Sequence, residues 1–364
     1  MEKKKIGISI YPEKAKLEET KKYLELAKKY NYEIVFVSFI HLMKNSKEDL
    51  DKVIDAIKYA KSLGYYVLAD VHLPSLEMLD VPMNDFRKLK EMGIDSVRFD
   101  SPALASDLAA LTHNDYDLDI QLNMSGNDSL VDNVLDYKPV LTRLQGGHNF
   151  YPQKNTAINW EFFVESTKRY TDKNLSTLAF IGSHNGNQGP AAVQKELVTL
   201  EFCRDLPVDS QAKVLFYSNT INNVLFGNAF ATEEELKKVS EVDREEITFG
   251  LVWDKSITKP EQEIANYKEH FRRGDITEFF IRSTMSRVIW SSADIKPRDS
   301  KKTYNKGDVV IVNNNGASYK GELHIILVDG YADTNNQYNT IGKIQPGELF
   351  LMNFVGAWSR FRFN

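Results

Sequence analysis

The chain has 364 residues, 42% hydrophobic and 27% charged, with a formal net charge of −5. That length accommodates a β/α barrel of roughly 250 residues plus one small further domain, and the absence of a basic excess argues against nucleic acid as a partner. The single cysteine, Cys203, excludes an internal disulfide, and no apolar run approaches the roughly 20 residues that a membrane span needs.

From the N-terminus, Met1-Glu-Lys-Lys-Lys leads into an apolar run too short for a signal-peptide core, so the chain is expected in the cytoplasm. Strand Lys5–Ile10 precedes helix Leu17–Tyr30, and strand Glu33–Phe39 precedes helix Lys47–Leu63, with Ser46 as its N-cap. Strand Tyr65–Val71 precedes helix Asn84–Met92, closed by Gly93, and strand Ile94–Asp100 precedes helix Ala103–Thr112. Strand Leu118–Asn123 leads to helix Ser129–Tyr137. Strand Pro139–Leu144 leads to a long loop, Gln145–Ala157, and helix Asn159–Thr171. Strand Ser176–Gly182 enters a Gly/Asn-rich loop, Ser183–Pro190. Helices are expected at Glu196–Asp205, where Cys203 reads as a small packed side chain, and at Ser210–Ser218, although Val214-Leu215-Phe216-Tyr217 also fits a strand. Strand Asn223–Gly227 completes eight, and a capping sequence at Thr232 opens a final helix ending near Glu241.

Eight strands alternating with helices imply an α/β fold, a (β/α)8 TIM-type barrel over residues 1–241. Beyond it, Ile247–Trp253, Asp308–Asn313, Gly321–Val328, Thr340–Ile344 and Glu348–Asn353 read as strands without intervening helices, which makes residues 242–364 a second, mostly β domain.

In such barrels the active site lies at the carboxyl ends of the strands. The polar positions of Ser96-Val97-Arg98-Phe99-Asp100, and Gln121 and Asn123 on the fifth strand, should point inward. Two carboxylates suffice to hydrolyse a glycosidic bond. Asp70, Asp100 and Glu13 are the candidates, with Glu201 further off on a helix. The competing readings are an internal ion pair for Arg98 and a surface position for Glu13. Asp70 with His72 could also be half of a metal site, but nothing else marks one. The segment Gly146-Gly147-His148-Asn149-Phe150-Tyr151-Pro152 suits a saccharide, through stacking rings and hydrogen-bonding amides; the alternative is a packed loop whose His148 bonds to backbone. Backbone N–H groups of Ser183–Pro190 could cradle an anion.

Several segments, in order, share one resemblance. They are Gly7-Ile-Ser-Ile-Tyr-Pro-Glu13, Ala69-Asp70-Val-His, Val97-Arg98-Phe-Asp100, Gln121-Leu-Asn123-Met-Ser125 and His148-Asn149-Phe-Tyr-Pro152. Gly189-Pro190, Thr199-Leu-Glu201, Phe226-Gly-Asn-Ala-Phe-Ala231, Pro297-Arg298 and Tyr319-Lys-Gly-Glu322-Leu continue it. Together they resemble the bacterial 6-phospho-N-acetylmuramidase family over nearly the whole chain.

The resemblance implies a β/α barrel followed by a cyclophilin-like β domain; the hydrolysis it implies requires no cofactor, and no metal is expected. It implies hydrolysis of N-acetylmuramic acid 6-phosphate–N-acetylglucosamine in the cytoplasm, as part of cell-wall recycling. Asp70, Asp100 and Glu13 would then be catalytic. Arg98, Asn123, His148, Asn149, Tyr151, Glu201, Arg204, Arg298 and Glu322 would bind substrate, with Arg98, Arg204 and Arg298 as candidates for its two anionic groups. Two positions depart from the family's usual pattern: Gln188 stands where Arg precedes Gly-Pro, and Asn228 where Asp is usual. Those departures keep two alternatives open, a non-catalytic phosphosugar sensor and a different phosphosugar-processing enzyme.

Overall fold

The computed structural model describes residues 3–42, 47–190, 196–298 and 302–364. Ser46, the expected N-cap, lies outside them. The chain divides into two compact units, Met1–Val242 and Asp243–Asn364.

In the first unit the apolar runs become strands buried on both faces, as a parallel sheet sheathed in helices requires. The strands are β1 Lys5–Ile10, β2 Ile34–Ser38, β3 Tyr66–Val71, β4 Ser96–Phe99, β5 Asp119–Asn123, β6 Leu144–Gly147, β7 Ser176–Ile181 and β8 Asn223–Phe226. They close in sequence order into a parallel barrel, β8 pairing with β1. Helices alternate with them: α1 Leu17–Lys29, α2 Lys47–Ser62, α3 Leu73–Met78, α4 Arg87–Glu91, α5 Ala105–Leu111, α6 Leu130–Asp136, α7 Trp160–Thr171, α8 Val208–Tyr217 and α9 Glu233–Ser240. None of the described helices is long and apolar enough to cross a membrane.

Cross-strand register sets the inward face. Phe36 lies beside Leu68, Leu68 beside Ser96, Asp70 beside Arg98, and Arg98 beside Gln121. The middle of the barrel is filled by Ile34, Phe36, Leu68, Leu178, Phe180 and Leu225. Towards the amino ends of the strands, Tyr66 Oη donates to Asp119 at 2.6 Å, and Gln145 Nε2 donates to the same carboxylate at 2.9 Å. Above the apolar layer stand Asp70 and Arg98.

Two expectations for the barrel need correction. The sixth strand is Leu144–Gly147, not Pro139–Leu144; Leu141–Arg143 is a 3-10 turn. Two glycines disguise the true strand, and both lie against close neighbours. A Cβ on Gly147 would stand 2.1 Å from Gln121 Oε1, and one on Gly146 would stand 2.6 Å from the Tyr170 ring. The expected helix Glu196–Asp205 is instead extended up to Leu200, followed by a 3-10 turn at Glu201–Cys203. Glu196 adopts φ 51°, and Val198 and Leu200 bridge to Tyr151 and Ile158, so tertiary pairing overrides helix propensity. Cys203 is buried, which pushes its thiol pKa well up. The ambiguous segment at 214–217 is helical, within α8.

The second unit contains β9 Ile247–Phe249, β10 Leu251–Trp253, α10 Lys259–Ala265, β11 His270–Phe271, β12 Phe280–Ser283, α11 Ser286–Ile289, β13 Thr303–Tyr304, β14 Asp308–Val312, β15 Leu323–Ile326, β16 Tyr331–Ala332, β17 Tyr338–Ile344 and β18 Arg360–Phe363. A five-stranded antiparallel sheet runs β10-β17-β14-β15-β12, beside a three-stranded sheet β11-β18-β9 and the pair β13-β16. Tyr304, Val310, Val312, Ile326 and Tyr338 form a core cluster of their own. The strand expected at Glu348–Asn353 is 3-10 helical, Pro346–Phe354. Its buried Glu348 accepts the Gly250 N–H at 2.6 Å.

Candidate active site at the barrel mouth

Asp70 ends β3, Arg98 lies on β4 and Asp100 follows it, while Glu13 sits in the 3-10 turn Pro12–Lys14 after β1. The Asp100 N–H donates to Val71 O at 2.7 Å, which ties the ends of β3 and β4 together. In the barrel unit, among the described residues, the charged side chains with a buried atom lacking a hydrogen-bond partner are Glu13 (Oε2), Asp70 (Oδ1) and Arg98 (Nε). All three belong to the carboxyl ends of the strands. Gln121 Oε1, neighbouring Arg98 in register, is likewise unpartnered.

Electrostatics link these groups. Burial pushes the Asp70 carboxyl up to about 7, against the pull of Arg98, with Asp100 adding to the rise. Burial also lifts Glu13. Tyr11, whose hydroxyl donates to Gly227 O at 2.7 Å, is raised first by its own burial and further by the charges of Glu13 and Asp70. A carboxyl that holds its proton near neutrality can donate it to a leaving group.

His148 works behind this surface. It is fully buried and stacks on Phe163 at 4.9 Å. Thr167 Oγ1 donates to Phe163 O at 2.6 Å, so it accepts from His148 Nε2 at 2.8 Å. His148 Nδ1 must then accept from Ser125 Oγ at 3.0 Å, and Ser125 in turn accepts the Asn149 N–H at 2.9 Å. Asn149 Oδ1 accepts from Arg98 Nη2. Burial, then the charge of Arg98, lower the His148 pKa to about 3, so the ring stays neutral. A chain of hydrogen bonds thus runs from α7 to Arg98. Asn123 joins it from the side, its Oδ1 accepting the Ser125 N–H at 3.0 Å. Phe150, expected to offer a stacking face, packs down on the barrel core against Phe180 at 5.0 Å.

Glu201 and Arg204 satisfy each other. Arg204 uses all five N–H groups: on Glu201 from Nε and Nη2, and on the carbonyls of Tyr151, Gln153 and Glu196. Glu201 also accepts the N–H groups of Asn155 at 2.8 Å and Ala157 at 2.9 Å, and its pKa falls to about 2, chiefly through Arg204. This pair, with the Tyr151 N–H on Val198 O, pins the loop after β6. The loop after β7 is no open anion cradle either. Each backbone N–H from Ser183 to Gln188 goes to a protein acceptor: Asn228, Glu235, Ser183 Oγ or Ala229 O.

Residues 6–241 match the family described as 6-phospho-N-acetylmuramidase, N-terminal, and residues 247–364 match its C-terminal counterpart. The chain belongs to the 6-phospho-N-acetylmuramidase family. Among solved structures, an uncharacterized protein from B. cereus is 34% identical, with 100% of both chains covered and a TM-score of 0.92. A conserved protein of unknown function from Enterococcus faecalis shares the fold at 21% identity and TM-score 0.73, covering 99% of this chain and 96% of that one. No curated protein matches in sequence. The family name indicates a glycosidase-type enzyme.

Against that family, the two departures have structural explanations in this chain. Asn228 is fully buried; its Oδ1 accepts the Ser183 N–H at 2.9 Å and its Nδ2 donates to Ser183 O at 2.7 Å and Gly186 O at 3.1 Å. It holds the loop after β7 together and carries no exposed charge. Gln188 Nε2 donates to Lys14 O at 3.0 Å, linking that loop to the turn after β1.

In the second unit, Arg298 is paired with Glu261 at 3.0 Å and with Asp254 at 3.5 Å. Glu322 is fully buried against Arg282 and Arg287. Sequence reasoning missed Tyr11, Thr167 and the unpartnered state of Gln121. The inward parity of Gln121 was readable; the reach of Thr167 from α7 to His148 was not.

Proposed function

We propose that this 6-phospho-N-acetylmuramidase family member hydrolyses the glycosidic bond of a 6-phosphorylated amino-sugar disaccharide, N-acetylmuramic acid 6-phosphate–N-acetylglucosamine, in cell-wall recycling in the cytoplasm. The observation that carries the reading is the buried, unpartnered carboxylate oxygen of Asp70 beside Arg98 at the carboxyl ends of β3 and β4, with a second such oxygen on Glu13 in the turn after β1.

Asp70, protonated near neutrality, gives its proton to the glycosidic oxygen as the bond to the anomeric carbon breaks. Asp100 is the second carboxylate: it either attacks the anomeric carbon to form a glycosyl ester that water then hydrolyses, with Asp70 taking that water's proton, or itself takes the proton of the water whose hydroxyl ends on that carbon; Glu13 is the other claimant. Arg98, held by Asn149, turns its remaining donors to an anionic or hydroxyl group of the sugar. The test is incubation of purified protein with the phosphorylated disaccharide and assay of the products. Free N-acetylglucosamine is expected, because other reactions on the phosphosugar, such as lactyl ether cleavage, do not release it. A folded protein that releases none overturns the reading.

A further inference from the structure

The barrel spends Arg204 and the N–H groups after β7 internally, whereas the second unit holds cationic donors in reserve. Glu322, fully buried, accepts from Arg282 Nε at 3.2 Å and Nη2 at 3.0 Å, from Arg287 Nη1 at 2.6 Å and from His324 Nε2 at 3.0 Å. Burial holds His324 below the ordinary histidine value, so it stays neutral near pH 7. One carboxylate therefore faces two guanidiniums, leaving a net positive group. Arg282 Nη1 and Arg287 Nε and Nη2 have no acceptor among the described residues. The side chains are 19% and 30% exposed, and both guanidiniums lie over the ring of Tyr319, at 5.6 and 5.9 Å. Tyr319 itself is 51% exposed.

A buried carboxylate that fixes two forked donors preorganises them, and preorganised guanidiniums take planar or tetrahedral oxyanions well. An exposed ring beside them suits the apolar face of a pyranose. We propose that Arg282, Arg287 and Tyr319 form a binding site for a sugar bearing an oxyanion, with the guanidiniums on the oxyanion and the ring on the sugar. Glu322 then orients the arginines and does not touch the ligand. The choice of amino sugars as probes rests on the proposed function; the site itself rests on the second unit alone.

Calorimetric titration of the full chain tests this with three probes: N-acetylglucosamine 6-phosphate, N-acetylmuramic acid and neutral N-acetylglucosamine. At least one anionic sugar should bind tenfold or more tightly than the neutral one, and which of them does so separates a phosphate from a carboxylate ligand. Arg287→Gln, which leaves Glu322 with Arg282 and His324, should weaken that sugar about tenfold in a protein that remains folded at the titration temperature. Tyr319→Leu should weaken all sugars that bind. Unaltered anionic-sugar affinity in both folded variants, or no anionic preference in the parent, overturns the proposal and leaves a purely structural ion network. If Arg287→Gln does not fold, Tyr319→Leu decides. Hydrolysis of the disaccharide is a separate readout: a protein that binds through Arg287 but cleaves nothing upholds this site and overturns the hydrolytic reading.

Discussion

Asp70 is held where its charge is costly. Its folded pKa of about 7 lies above that of an unfolded Asp, about 3.9, so the folded state keeps a proton that the unfolded state loses between those values. Its contribution to stability is complete below about pH 4 and is lost as pH rises through about 7, at up to ~1.4 kcal/mol per pH unit. Asp70→Asn removes the titration. The melting temperature of the variant relative to the parent should therefore climb from pH 4 to pH 7, and a constant difference across that range would contradict the assignment. Asn228 makes the opposite point, because both its donors and its acceptor are used in a buried place. Asn228→Asp would set a carboxylate against two carbonyls and should cost about 1–3 kcal/mol or more. Thermal unfolding measures this, and an equally stable variant would contradict the structural role given to the amide.

At the scale of elements, β6 shows how packing hides a strand. Its Gly146-Gly147 pair lacks the side chains by which strands are recognised, because Tyr170 presses from outside and Gln121 from inside. Gly146→Ala meets a rigid ring and should destabilise the protein by about 1–3 kcal/mol in chemical denaturation; a neutral effect would contradict the close approach. The other strands were legible because short apolar runs between helical segments ended in polar residues at the sheet's carboxyl edge. The positions of Asp70, Arg98 and Asp100 followed from that edge and from alternation. The His148 relay was not legible, since it depends on Ser125 and Thr167 arriving from β5's loop and α7. Nor was the extended segment before Glu201, whose composition favours a helix until Val198 and Leu200 pair with the loop after β6.

At the scale of the molecule, two units each bury a core of their own. The barrel unit gathers its unsatisfied charge at the carboxyl ends of its strands, and the second unit gathers cationic donors around Glu322. The first arrangement suits proton transfer and the second suits anion recognition. The most direct measurement is the rate of N-acetylglucosamine release from the phosphorylated disaccharide between pH 5 and 9, for the parent and for Asp70→Asn. The account predicts a parent rate that falls about tenfold per pH unit above about 7, as the acid loses its proton, and a variant slower by about 10²- to 10⁴-fold. A variant as fast as the parent, or a parent rate that rises through that range, would contradict it.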